Sequence, residues 1–113
     1  MTDQEILRAY VERHNEGVET GDFGRMLELF AADAELVFVS VSFGPFQGRE
    51  AIQNAFARHP PADKLSAGEV RPIPSGASTV YEWELHPGTK AGTIQADIVD
   101  EKIVRMVIYF HLV

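Results

Sequence analysis

Cysteine is absent from the chain. That removes disulfides, thiol nucleophiles and thiolate metal ligands, although it does not by itself assign a compartment. Positive charge is scarce as well: 10 Lys and Arg stand against 17 Asp and Glu, giving a formal charge of -7 and a pI near 5.0. Such a balance argues against nucleic acid, whose affinity comes largely from neutralised phosphates, and against anionic membrane surfaces. No apolar run is long enough to span a bilayer, and the start, MTDQE, lacks the basic and apolar regions of a signal peptide. A soluble cytoplasmic protein is expected. The four histidines show no HxH or HxxxH spacing, so no metal site is expected. No G-x-S-x-G occurs, and the one compact Gly-containing loop, GPFQG, has the wrong context for phosphate. No cofactor is implied.

What is present is apolar. The 113 residues make one expected domain, 1–113, and a hydrophobic share of 45% supports a true core. The stretch around which the chain is organised is KIVRMVIYFHLV, Lys102 to Val113, rich in β-branched and aromatic types with neither Gly nor Pro: a strand. Strand alternation puts Val104, Met106, Ile108, Phe110 and Leu112 on a wholly apolar face, with Ile103, Arg105, Val107, Tyr109 and His111 on a mixed one. At roughly 3.3 Å per residue it would span on the order of 40 Å, so it must curve around what it covers.

Upstream, Thr2 or Asp3 can cap a first helix, with Glu5 in its first turn, in which Ile6, Leu7, Tyr10, Val11, His14 and Val18 form one face. Gly21-Asp22 breaks it, and Phe23, Met26, Leu27 and Phe30 form the stripe of a second, shorter helix. A strand is expected from about Glu35, with Leu36, Phe38 and Ser40 alternating against Val37, Val39 and Val41. Phe43 to Gly48 is expected to be loop, and Arg49 to Arg58 a third helix ended by His59-Pro60-Pro61. From Leu65 onward the pattern is strand, interrupted by Gly68 and Pro72 and by turns at Ser75-Gly76, His86-Pro87-Gly88 and Asp100-Glu101. Three helices followed by a mostly antiparallel sheet make an α+β domain. A curved sheet wrapping the helices gives a cone with one open end, a natural small-molecule site.

Four segments in this order, GVETGDFGRMLELF, FAADAEL, GPFQGREAIQNAF and DIVDEKIVRMVIYF, resemble the NTF2-like superfamily, and within it the SnoaL-like and ketosteroid-isomerase-like proteins. The resemblance implies a cone-shaped α+β fold and, in the steroid enzymes, an Asp base with a Tyr and a protonated Asp as oxyanion hole. Carried onto this chain, the tyrosine position falls on His14, the base on Phe38 and the protonated acid on Gln95, or on Asp97 two residues further along the same strand face. A phenyl ring cannot move a proton, so the steroid enzymes' mechanism is not expected. The superfold hosts enzymes, ligand binders and association domains alike.

The candidate acid-base and orienting groups are therefore His14, Asp97 and Gln95. If the face carrying Gln95 and Asp97 lines the cup, both belong to the site; if not, both are ordinary solvent residues. Tyr10, Phe38, Ser40, Phe56, Tyr81, Trp83, Met106, Ile108 and Phe110 are the candidates for contact with a small hydrophobic molecule, and several would serve equally as core. Arg105, Val107, Tyr109 and His111 fit the outer, dimer-forming surface of the resembled proteins, so a homodimer is expected. Isomerisation, cyclisation or hydration of a hydrophobic compound is one expected function; non-catalytic ligand binding and pure dimerisation are the alternatives.

Overall fold

The computed structural model describes residues 1–88 and 90–110. Helix α1, Asp3–Thr20, is opened by Thr2, whose hydroxyl accepts from the Glu5 N–H while the Glu5 side chain accepts from the Thr2 N–H, a capping box. Its buried face is Ile6, Leu7, Tyr10, Val11, His14 and Gly17, ending one residue before the expected Val18, which is half-buried. Gly17 has no Cβ because that space holds the Phe23 ring. After the single turn of α2, Gly24–Leu27, come β1 (Phe30–Val39), β2 (Phe46–Gln47) and α3 (Arg49–Arg58). Strands β3 (Leu65–Ile73), β4 (Gly76–Trp83), β5 (Lys90–Val99) and β6 (Lys102–Phe110) follow.

The strands form one curved, unclosed sheet in the order β2-β1-β6-β5-β4-β3. Every pairing is antiparallel except β1 with β6. The α+β cone follows: α1 packs across the concave side of β3 and β4, and α3 against β1. Pro72 is tolerated because β3 is an edge strand. One extra β3 residue at Gly68–Glu69 makes a bulge, and the buried Thr79 hydroxyl donates to the Glu69 carbonyl at 3.1 Å.

Several local expectations change. Phe30 belongs to β1, paired with Ile103, and the β1–β6 register is irregular until Glu35. Phe46 and Gln47 are not loop but a short strand against Leu36 and Glu35. In β6 the simple alternation fails at Val104, an extra residue between the Ile103–Ile98 and Arg105–Asp97 pairs. This β-bulge turns Ile103 into the core and leaves Val104 half-buried. His111, Leu112 and Val113 lie outside the described residues.

Candidate hydrophobic active site

The concave face encloses a cavity of about 210 Å³. Its deep wall is built by α1 (Tyr10, His14) and by the inward positions of β1, β4, β5 and β6 (Leu36, Tyr81, Ile94, Ile108), all buried. Its outer part is made by Phe38, Phe43, Trp83 and Phe110, half-buried, with the exposed Val41 and His59. Phe38 is the centre of that rim: its ring stacks on Phe110 at 6.0 Å and 16°, and tilts on Phe43 at 5.2 Å. His59 stands edge-on to Phe43 at 5.5 Å.

Against this geometry, Tyr10, His14, Phe38, Phe56, Tyr81, Trp83, Ile108 and Phe110 line the cavity. Met106 does not: it faces inward but is fully buried in the core that closes the cone. Ser40 is outside the site too. Strand β1 ends at Val39, and Ser40 turns away at φ 76°, exposed. The face carrying Gln95 and Asp97 is the convex one. Ile94 and Ala96 are the inward, buried residues of β5, and strand alternation puts Gln95 and Asp97 opposite. Asp97 is occupied there, accepting from the Ser75 hydroxyl at 2.7 Å. Neither residue can touch a molecule in the cavity.

Val41, Phe43, His59 and Pro61 join the lining from loops, where no periodicity marks a facing side chain. Asn15 is a second-layer residue that the sequence does not single out. Its amide brackets Leu65 of β3, donating through Nδ2 to the Leu65 carbonyl and accepting at Oδ1 from the Leu65 N–H, both at 2.8 Å. The same Oδ1 lies 3.1 Å from Nδ1 of His14.

His14 is 4% exposed. Around it stand the rings of Tyr10, Phe23 and Phe56, at centroid distances of 6.1, 6.2 and 6.5 Å. Burial among them lowers its pKa, against a smaller raising effect of the Asn15 hydrogen bond. The ring is therefore neutral near pH 7 and available as a base. Burial raises the Tyr10 phenol, with a further push from nearby Tyr81, and takes Tyr81 up to about 12. Both phenols stay protonated and can donate. Tyr81 fits because Gly92 lies beneath it: a Cβ there would sit 2.9 Å from the Tyr81 hydroxyl. Among the described residues no three His, Asp or Glu side chains come together as a metal site, and no helix is long and apolar enough to cross a membrane.

A cone of this kind, helices packed in a curved, unclosed sheet of six strands, is the NTF2-like fold. The SnoaL-like domain family matches residues 11–106, and the chain belongs to that family. Among solved structures, an NTF2-like protein of Cytophaga hutchinsonii superposes with a TM-score of 0.73 at 12% identity, covering 98% of this chain and 91% of that one. A Mycobacterium tuberculosis protein in complex with estradiol-17β-hemisuccinate gives 0.71 at 19% identity, covering 99% and 96%. A Kribbella flavida protein named as a candidate ketosteroid isomerase gives 0.70 at 18%, covering 100% and 83%. At these identities the likeness is one of fold. No curated protein matches the sequence.

Proposed function

We propose that this chain binds a compact hydrophobic molecule inside the cone and moves a proton on it. Neutral His14 is the base, and the hydroxyls of Tyr10 and Tyr81 are donors to an oxygen of the substrate. The observation that carries this reading is His14: a buried histidine on an apolar cavity, with its pKa lowered so that the base form is present at neutral pH. Phe56, Trp83, Ile108 and Phe110 supply the apolar contact. Isomerisation, cyclisation and hydration all contain such a step. The steroid ester in the M. tuberculosis protein supports a ring-bearing ligand, while a cavity of about 210 Å³ favours one smaller than a steroid.

Binding without chemistry is the second reading. It is favoured by Phe38, a rim ring at the position where the resembled steroid enzymes carry their base. Turnover of small carbonyl and polyketide-like compounds by the wild type and by His14→Ala separates the two. Turnover at saturating compound that falls at least a hundredfold in the variant supports catalysis. Affinity without turnover in either protein supports the binding module.

For the convex face we propose a homodimer. Registers across the sheet align Val80, Thr93, Tyr109 and Val39 in one row over four strands, and Val80 and Tyr109 are among the few large apolar side chains left exposed.

A further inference from the structure

The hydrogen-bonding roles at the deep wall are fixed by backbone chemistry. A backbone N–H can only donate and a carbonyl can only accept, so the Asn15 atom facing the Leu65 N–H is its oxygen and the one facing the Leu65 carbonyl is its NH2. The oxygen is an acceptor, so Nδ1 of His14, 3.1 Å away, must be the donor. A neutral imidazole carries one N–H. It sits on Nδ1, and Nε2 is left with a lone pair and no proton.

That lone pair has no partner among the described residues, and neither has the hydroxyl of Tyr10 or of Tyr81. Among the described residues no sealed side-chain nitrogen or oxygen is left unpaired, so these three atoms reach open space, and the space their residues line is the cavity. Each of the three residues is more than nine-tenths buried. The deep part of the cavity thus presents one obligate acceptor and two phenols able to donate, with the exposed imidazole of His59 at its rim. No Lys or Arg is among its lining residues.

We infer that the cavity selects a neutral ring compound bearing a hydroxyl group, a phenol or an enol, whose O–H donates to Nε2 of His14 and whose oxygen accepts from Tyr10 or Tyr81. This rests on the cavity being the ligand site proposed above. A carboxylate in the deep part would meet a lone pair, with no Lys or Arg to neutralise it. An ether, or a ketone with no enol form, would accept from a tyrosine but leave Nε2 unpaired in an apolar wall. A site built to pair a hydroxyl discriminates strongly against analogues without one. Since a cavity of roughly 150 Å³ holds benzene, about 210 Å³ suits one ring or two fused rings.

Calorimetric titration of the full chain with 2-naphthol, naphthalene and 2-naphthoate tests this. The expected result is 2-naphthol at least tenfold tighter than naphthalene, with 2-naphthoate weaker than either. In His14→Phe, a ring without the acceptor, 2-naphthol and naphthalene should come within about threefold of each other. Equal binding of 2-naphthol and naphthalene to the wild type overturns the hydroxyl selection and leaves the ligand-site reading standing. Tightest binding of 2-naphthoate overturns it too. If none of the three binds, both readings fall. Should His14→Phe not fold, long-range 1H–15N spectra of the wild-type His14 ring decide the same point: protonated Nδ1 with bare Nε2 is expected, and protonated Nε2 overturns the inference.

Discussion

Asn15 Oδ1 stands 3.1 Å from Nδ1 of His14 while its amide clasps the backbone of Leu65. One side chain therefore joins α1 to β3 and decides which ring nitrogen of His14 meets the cavity. Fold and chemistry share that amide, and the two roles separate on substitution.

Asn15→Asp keeps an acceptor for the Leu65 N–H but loses the donor to the Leu65 carbonyl. It also brings a carboxylate against His14. Losing the donor should cost about 1–3 kcal/mol in urea unfolding at pH 7. An opposite charge favours the imidazolium, so the His14 pKa should rise above its wild-type value, as followed by NMR titration of the ring. An unchanged or lower pKa would contradict the contact.

The depressed pKa of His14 fixes the sign of one pH effect. In the unfolded chain this histidine takes up its proton around its ordinary value of 6.5, while burial holds the folded form neutral to lower pH. The unfolded state then binds more protons, so stability is lost as pH falls through 6.5 toward the folded pKa, and His14 adds no pH dependence above that window. The groups facing the ring are Tyr10, Phe23, Phe56 and Asn15, none of them charged near neutrality. Urea midpoints at pH 7.5 and 5.5 should drop further for the wild type than for His14→Gln. Parallel drops would remove His14 from the explanation.

Periodicity carried most of the fold. The buried face of α1, the inward Tyr81 and Trp83 and the closing hairpin are legible because spacing alone fixes which side chains share a face. Spacing breaks where the backbone adds a residue. The bulge at Val104 exchanges its place with Ile103, and no local signal in KIVRM announces it. The fate of Gln95 and Asp97 hung on parity, which the sequence leaves open and the sheet decides. Their buried neighbours Ile94 and Ala96 are the better inward pair, since an apolar face must be the covered one. Asn15 was illegible for a different reason: its partner is 50 residues away.

Gly92 makes room for Tyr81. A Cβ there would fall 2.0 Å from the Tyr109 carbonyl oxygen, and 2.9 Å from both the Tyr81 hydroxyl and its ring edge. Backbone cannot yield as a flexible side chain does, so Gly92→Ala should cost about 1–3 kcal/mol through strand displacement. It should also shift the Tyr81 ring and weaken ligand binding in the cavity. Thermal unfolding and calorimetry together check it; wild-type values in both would mean that the strands absorb the methyl freely.

The convex face grades from charged to apolar along the strands. At one end Asp97, Arg105 and Glu35 align, with Arg105 donating to Glu35 at 2.9 Å. The next inward row holds Ser78, Gln95, Val107 and Val37, and beyond it lies the Val80–Thr93–Tyr109–Val39 row. A second copy of this chain placed on the face would cover the exposed Tyr109 and Val80, while the charged row would fall at the polar rim expected of an interface. Tyr109→Asp puts a charge into the middle of that apolar row, where burial against a partner leaves it unpaired. In sedimentation velocity at tens of micromolar the wild type should run as a dimer and the variant as a monomer. Ligand affinity in the cavity should be unchanged, because Tyr109 points to the opposite side of β6 from Ile108 and Phe110. A wild type that sediments as a monomer removes the dimer proposal, and so does a variant that remains a dimer.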